Sequence, residues 1–184
     1  YGLLATRQLG RTLRIDWVEP RLDAASFRAL VANGQVARAV ALFQIGKREL
    51  AGEELLRAHA HVDPALDQAL IALANDFRLP AVELQVANAA HLPATGRKGG
   101  RLSLNAGLFP VPDYAPSNGY KVDRALLLAF MRQESKFQSD AMSHAGARGL
   151  MQIMPATASH ITQDRSLAGG NREIYITRIQ ICTR

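Results

Sequence analysis

Between Thr95 and Gly119 the chain changes texture, and that change governs what it can fold into. Gly96, Gly99, Gly100, Gly107, Pro110, Pro112, Pro116 and Gly119 fall within 24 residues, and Gly-Arg-Lys-Gly-Gly forms a basic, flexible run. Glycine and proline at this density punctuate a chain rather than build regular elements, so this is its best boundary. The sequence therefore divides into a segment at 1–107 and a second at 108–184. Arg97, Lys98 and Arg101 read as solvated loop residues in preference to a polyanion contact.

Upstream, residues 24–92 read as short helices separated by turn residues. Asp23 is placed to cap a helix over Ala24–Ala32, in which Phe27, Leu30 and Val31 follow i, i+3, i+4 spacing and Gly34 ends the run. A second helix, Val36 to Gln44, repeats the pattern and stops at Gly46, so the two are expected to form a hairpin across Gly34. A third spans Arg48–His59. Asp63 followed by Pro64 opens a fourth through Leu66, Leu70, Ile71 and Leu73, and Pro80 opens a fifth through Leu84 and Val86. Serial hairpins of this kind bury one face of each pair against the next, as α-solenoids do, although no fixed period repeats here.

Composition excludes several classes. Of 184 residues, 48% are hydrophobic and 21% charged, which is ordinary for a globular chain and rules against a disordered or collagen-like one. Twenty-two Lys and Arg oppose sixteen Asp and Glu, a net charge of +6 that permits an anionic partner without choosing nucleic acid, membrane surface or wall polymer. The charge is dispersed: residues 1–60 and 121–184 each hold nine basic side chains, with no block of five like charges. No recognition helix with interleaved aromatics accompanies it, which argues against nucleic acid. The longest apolar run, Ala125–Met131, is far shorter than the roughly 18 residues of a membrane span. Cys182 stands alone, so neither an intrachain disulfide nor a cysteine-rich metal site is expected. Residues 2–22 lack a charged start followed by an apolar core, so a leader peptide is expected to be absent or already removed.

The chemistry concentrates after the boundary. A strong helix is expected from Val122 to about Ser135, with Leu127, Phe130 and Met131 at i, i+3 and i+4, and the next position of that stripe is Glu134. A carboxylate where an apolar residue is due would be desolvated, and it would also lie at the negative end of the helix dipole. Both effects favour the protonated form that a general acid needs near neutral pH. The bland alternative is a glutamate at a frayed helix end with its head in water.

Glu134-Ser135-Lys136-Phe137, then Ser143, then Gly146-Ala147-Arg148-Gly149-Leu150-Met151-Gln152-Ile153-Met154-Pro155-Ala156-Thr157-Ala158 closely resembles the signature of the soluble (SLT) type of lytic transglycosylase, including the spacing from the glutamate to Gly-Leu-Met-Gln. The resemblance is strong over Val122–Ala158, and the helical hairpins upstream more distantly resemble the superhelical region of larger members. The fold it implies is mostly α, a helical-hairpin, α-solenoid-like segment followed by a lysozyme-like transglycosylase domain. Gly146 and Gly149 permit a close turn against a polymer. Gln152 offers donor and acceptor to sugar hydroxyls and acetamido groups. Met151 offers an adaptable apolar wall, although Met151 and Met154 alone would read as core residues. Ser135 is able to bond the acid or the substrate, or simply to end the helix. Pro155 starts a helix over Ala156–Ile161.

The resemblance further implies non-hydrolytic cleavage of the bond between N-acetylmuramic acid and N-acetylglucosamine in peptidoglycan, with Glu134 as acid and then base, Ser135, Met151 and Gln152 as substrate-binding residues, and no metal or organic cofactor. One carboxyl group suffices where the substrate's acetamido group stabilises the oxocarbenium-like centre. Asp140 as a second catalytic carboxylate is the lesser alternative. Glycan strands are the implied partner, with cell-wall-associated proteins beside them, in a periplasmic location.

The pattern breaks after Ala158. The family's Ala-Tyr-Asn-Ala-Gly motif is absent, 26 residues remain, and Ile174–Ile181, with four isoleucines in eight residues, favours a strand. The catalytic domain is therefore expected to be incomplete at its C-terminal end, with Tyr175 a strand residue rather than a substitute for the missing tyrosine. Two other functions compete: a lysozyme-like hydrolase using the same acid with water, and an inactive helical-repeat module that binds peptidoglycan or a protein.

Overall fold

Asp23 starts the first helix as its spacing predicts. Its side chain accepts hydrogen bonds from the Ser26 amide at 2.7 Å and hydroxyl at 2.8 Å, and α1 runs Ala24–Val31. The bonds from Ser26 hold the Asp23 carboxyl below its usual range. In this computed structural model the described residues are 5, 7–10, 14–90, 101–116 and 119–169. They fall into two compact units, Tyr1–Pro110 and Val111–Arg184.

The first unit continues with α2 (Gly34–Gln44), α3 (Arg48–His59), a 3-10 turn at Pro64–Leu66, α4 (Asp67–Asp76) and α5 (Pro80–Ala90). Gly34 does not separate α1 from α2, as the sequence suggested, but is the first residue of α2. Asn33 provides the cap, its Oδ1 accepting from the Gln35 amide at 2.9 Å and the Val36 amide at 3.4 Å. The expected hairpin of α1 and α2 is accordingly the lesser contact. The extensive pairings are α2 on α3 and α4 on α5. Asp63 caps the turn that leads into α4, accepting from the Ala65 amide at 2.9 Å.

These helices share one core. Leu30, Val36, Leu55, Leu70, Ile71 and Val86 are fully buried in it, and each large side chain contributes about 1.5–3 kcal/mol. Phe43 and Phe77 stack within it, centroids 4.0 Å apart. Leu108, from a short turn at Ala106–Leu108, joins the same core. Gly52 sets how closely α3 approaches α5: a Cβ there would lie 3.2 Å from Val82 Cγ2. One acid is buried among these apolar groups. Glu83 of α5 receives a single bond, 3.2 Å from the Asn75 amide nitrogen, and burial pushes its carboxyl up to about 7 against the opposing pull of that bond.

Sequence reasoning missed a two-stranded parallel sheet. Strand β1 (Arg14–Val18) pairs with β2 (Arg101–Asn105), placing Arg14 opposite Arg101 and Trp17 opposite Leu104. Arg101 thus belongs to a strand inside the stretch expected to be loop. Its one sequence signal was the alternation in Arg-Leu-Ser-Leu-Asn. The Trp17 ring meets Phe109 edge-on at 5.6 Å.

The second unit contains α6 (Arg124–Glu134), α7 (Pro155–Thr162) and a 3-10 turn at Arg165–Gly169. Pro155 opens α7, as its position predicts. Ala158 of α7 and Leu167 of the turn form a small apolar cluster with Ile153. Ile174–Ile181 and Tyr175 lie outside the described residues. Among the described residues no helix is long and apolar enough to cross a membrane.

Candidate active site

The first turn of α6 is held at several points. Asp123 accepts from the Ala125 amide at 2.7 Å, and Arg124 Nη2 donates to the Pro112 carbonyl at 2.9 Å. The Arg124 guanidinium also lies 6.0 Å from the centre of the Tyr120 ring, whose hydroxyl donates to the Tyr114 carbonyl. Burial pushes the Tyr114 phenol up.

The inward face of α6 keeps Leu127 and Met131 of the stripe read from the sequence but not Phe130 or Glu134. Met131 is 1% exposed and Leu127 and Leu128 are half-buried, whereas Phe130 is 48% exposed. The buried line continues from Met131 to Ser135, one turn on, and leaves Glu134 about 100° round the helix axis from it. Glu134 is exposed, so the desolvation expected from its place on the stripe is not realised. The sequence holds two overlapping stripes, and packing selects Leu127–Met131–Ser135 over Leu127–Phe130–Glu134.

The end of α6 is fixed by a convergence of donors. The Ser135 amide and hydroxyl each donate to the Met131 carbonyl at 3.1 Å, and the Phe137 amide approaches the same oxygen at 3.4 Å. Lys136 and Phe137 adopt positive φ, 52° and 65°, which turns the chain sharply, and Phe137 is only 3% exposed. Glu134 therefore projects from the last turn of a helix that is anchored at both ends. Ser135, 6% exposed, spends its hydroxyl on the helix itself.

The residues that follow close a braced loop. The Ser143 amide donates to the Ala147 carbonyl at 2.9 Å, and the Ala147 amide returns to Ser143 Oγ at 3.0 Å. Gly149, at φ 72°, donates its amide to the Ala141 carbonyl at 2.9 Å. Gln152 stitches the loop shut: Nε2 donates to the carbonyls of Ala141 at 3.1 Å and Gly149 at 2.9 Å. Both amide protons are thereby occupied, and Oε1 is the part of Gln152 left to meet a sugar donor. Met151 is half-buried and Met154 exposed. Arg148, to which the sequence assigned no role, sits at the centre of two antiparallel bridges, to Met142 and Ile153.

The structure thus places Glu134 beside Ser135 at the end of α6, and Met151 and Gln152 on the loop that returns toward Ala141. Asp140 is exposed, while Asp164 accepts from the Ser166 amide at 2.9 Å and hydroxyl at 2.6 Å and caps the last turn. Among the described residues no group of three or more His, Cys, Asp or Glu side chains could hold a metal ion.

Residues 114–178 match the Transglycosylase SLT domain, a span that begins before α6 and includes the whole braced loop. That segment is similar to the SLT family. Over 53 residues the chain is 40% identical to the soluble lytic murein transglycosylase of Escherichia coli (strain K12), a match covering 29% of this chain and 8% of that protein. Over 42 residues it is 48% identical to the membrane-bound lytic murein transglycosylase C of Mannheimia succiniciproducens, covering 23% of this chain and 12% of that one. The crystal structure of the 70-kDa soluble lytic transglycosylase of E. coli superimposes over 96% of this chain with a TM-score of 0.67 at 24% identity. That likeness shows a shared, mostly helical fold, and the chain covers 28% of the larger protein.

Proposed function

We propose that this chain carries the acid–base centre of a peptidoglycan lytic transglycosylase. The observation that carries the reading is the position of Glu134, projecting from the last turn of an anchored helix at the head of the SLT signature loop. Glu134 protonates the glycosidic oxygen between N-acetylmuramic acid and N-acetylglucosamine, and the C1–O bond breaks. The substrate's acetamido group stabilises the oxocarbenium-like centre. Glu134, now a carboxylate, takes the proton from the muramoyl C6 hydroxyl, whose oxygen bonds to C1 and closes the anhydro ring. The acid is restored and no water is consumed. Gln152 Oε1 and Met151 contact the sugar, and Ser135 holds the turn that orients the acid. A glycan strand lying over Glu134 excludes water from it and supplies the desolvation that the chain itself does not. The periplasm, where peptidoglycan is reached, is the corresponding location, and cell-wall-associated proteins are the partners proposed beside the glycan.

The exposure of Glu134 favours a second reading, a module that holds glycan without cleaving it. Digestion of purified peptidoglycan by the full chain and by Glu134→Gln, with products read by mass spectrometry, separates them. Anhydromuramoyl ends from the first, reduced at least about a hundredfold in the second, are expected. Reducing ends would indicate a hydrolase, and binding without products from either protein would establish the module.

A further inference from the structure

The signature loop holds a half-buried cation that the mechanism above does not use. Arg148 is pinned by its backbone at the middle of the loop: its amide donates to the Ile153 carbonyl at 3.1 Å, the Ile153 amide returns the bond at 3.1 Å, and Met142 bridges its other side. The side chain is half-buried. Its Nε is shut off from solvent with no acceptor in hydrogen-bond range, while the outer guanidinium nitrogens are not enclosed in this way. None of the ion pairs among the described residues involves Arg148.

A guanidinium in this state has already lost part of its hydration and part of its rotamer freedom during folding, and among the described residues it has no anion in return. An incoming carboxylate that meets the outer nitrogens is spared those costs, so it binds better here than at a fully hydrated surface arginine. The geometry of a planar fork also suits a carboxylate, which accepts two parallel N–H bonds. Lys121 and Lys136, the lysines of this unit among the described residues, are exposed and offer no such preorganisation. We propose that Arg148 docks a carboxylate on the peptide substituents of the glycan, and so makes the loop selective for strands whose stem peptides carry free acid groups. The proposal deepens the reading of this loop as a glycan site and rests on it.

Calorimetric titration of the full chain, bearing Glu134→Gln to stop turnover, tests this with three soluble probes: a muramoyl glycan oligomer carrying stem peptides with free carboxylates, the same oligomer with those carboxylates amidated, and the peptide-free oligomer with its lactyl carboxylates amidated. With Arg148 intact, the acid form is expected to bind about tenfold more tightly than the other two, a preference that shrinks as salt is raised. Arg148→Met removes that preference and leaves the amidated and peptide-free affinities unchanged. Arg148→Lys, which keeps the charge but loses the fork, retains about threefold. Persistence of the full preference in Arg148→Met overturns the proposal, as does an equal loss for all three probes, which would mark Arg148 as loop support. Failure of all three probes to bind with Arg148 intact would defeat the glycan-site reading itself, and the carboxylate proposal with it.

Discussion

Leu70 and Glu134 show how differently the two units are held. Around Leu70, five helices bury a continuous apolar core, and the backbone follows regular geometry from cap to cap. Around Glu134 the buried side chains are fewer, and shape comes from backbone bonds, from Gln152 bonding two carbonyls, and from positive φ at Lys136, Phe137, Gly146, Gly149 and Gln152. Packing can absorb many sequences of similar volume, whereas a loop held by particular donors and backbone angles tolerates few. The contrast explains why the second unit is the one that announces itself in sequence.

Substitutions that act on one kind of support alone will sharpen the comparison. The largest effect is expected from Leu70→Ala, which opens a cavity in the helical core and lowers unfolding free energy by about 4 kcal/mol in urea titrations. A loss under about 1 kcal/mol would mean that this core is not the first unit's main support.

Next is the pH dependence conferred by Glu83. Its carboxyl stands at about 7 in the folded unit against an ordinary 4.5, so the folded state holds the proton more tightly. Stability from this group is full below pH 4.5 and falls as pH rises through 7, by about 3 kcal/mol in all. Glu83→Gln keeps the bond partner for Asn75 and should flatten that decline in melting curves recorded between pH 5 and 9.

In the second unit, Gly149→Ala probes backbone angle without steric interference. The added Cβ would lie 3.7 Å from the Ser139 carbonyl oxygen, an ordinary contact, so only the left-handed φ is penalised. A loss of about 1–2 kcal/mol is expected by differential scanning calorimetry, and no change would show that the loop relaxes to another angle. The smallest effect, about 1 kcal/mol, is expected from Asn33→Ala, which removes the cap of α2 and should appear as lost helicity in circular dichroism.

What the sequence disclosed follows the same division. Asp23, Pro80 and Pro155 each mark a helix start, and Asp63-Pro64 marks the 3-10 turn that leads into α4, because caps and prolines act locally. Asn33 is hidden in the sequence because the glycine beside it reads as a terminator, and only the bonds that Asn33 Oδ1 accepts from the Gln35 and Val36 amides decide between the two. The strands at Arg14–Val18 and Arg101–Asn105 were missed because neither is persuasive without the other. Glu134 was found by its neighbours in the signature, while its exposure was not foreseeable. Two helical stripes differing by one residue are equally periodic, and the partner that buries one of them is not encoded nearby.

That strand pairing bears on how the chain is assembled at the ribosome. Strand β1 is synthesised before helices α1 to α5, yet it pairs in parallel with β2, which is synthesised after them. At about 5–20 residues per second, the interval of roughly 90 residues leaves β1 waiting on the order of 5–20 s for its partner. Through that interval its edge is bare, and the nascent chain is open there to pairing with the wrong strand.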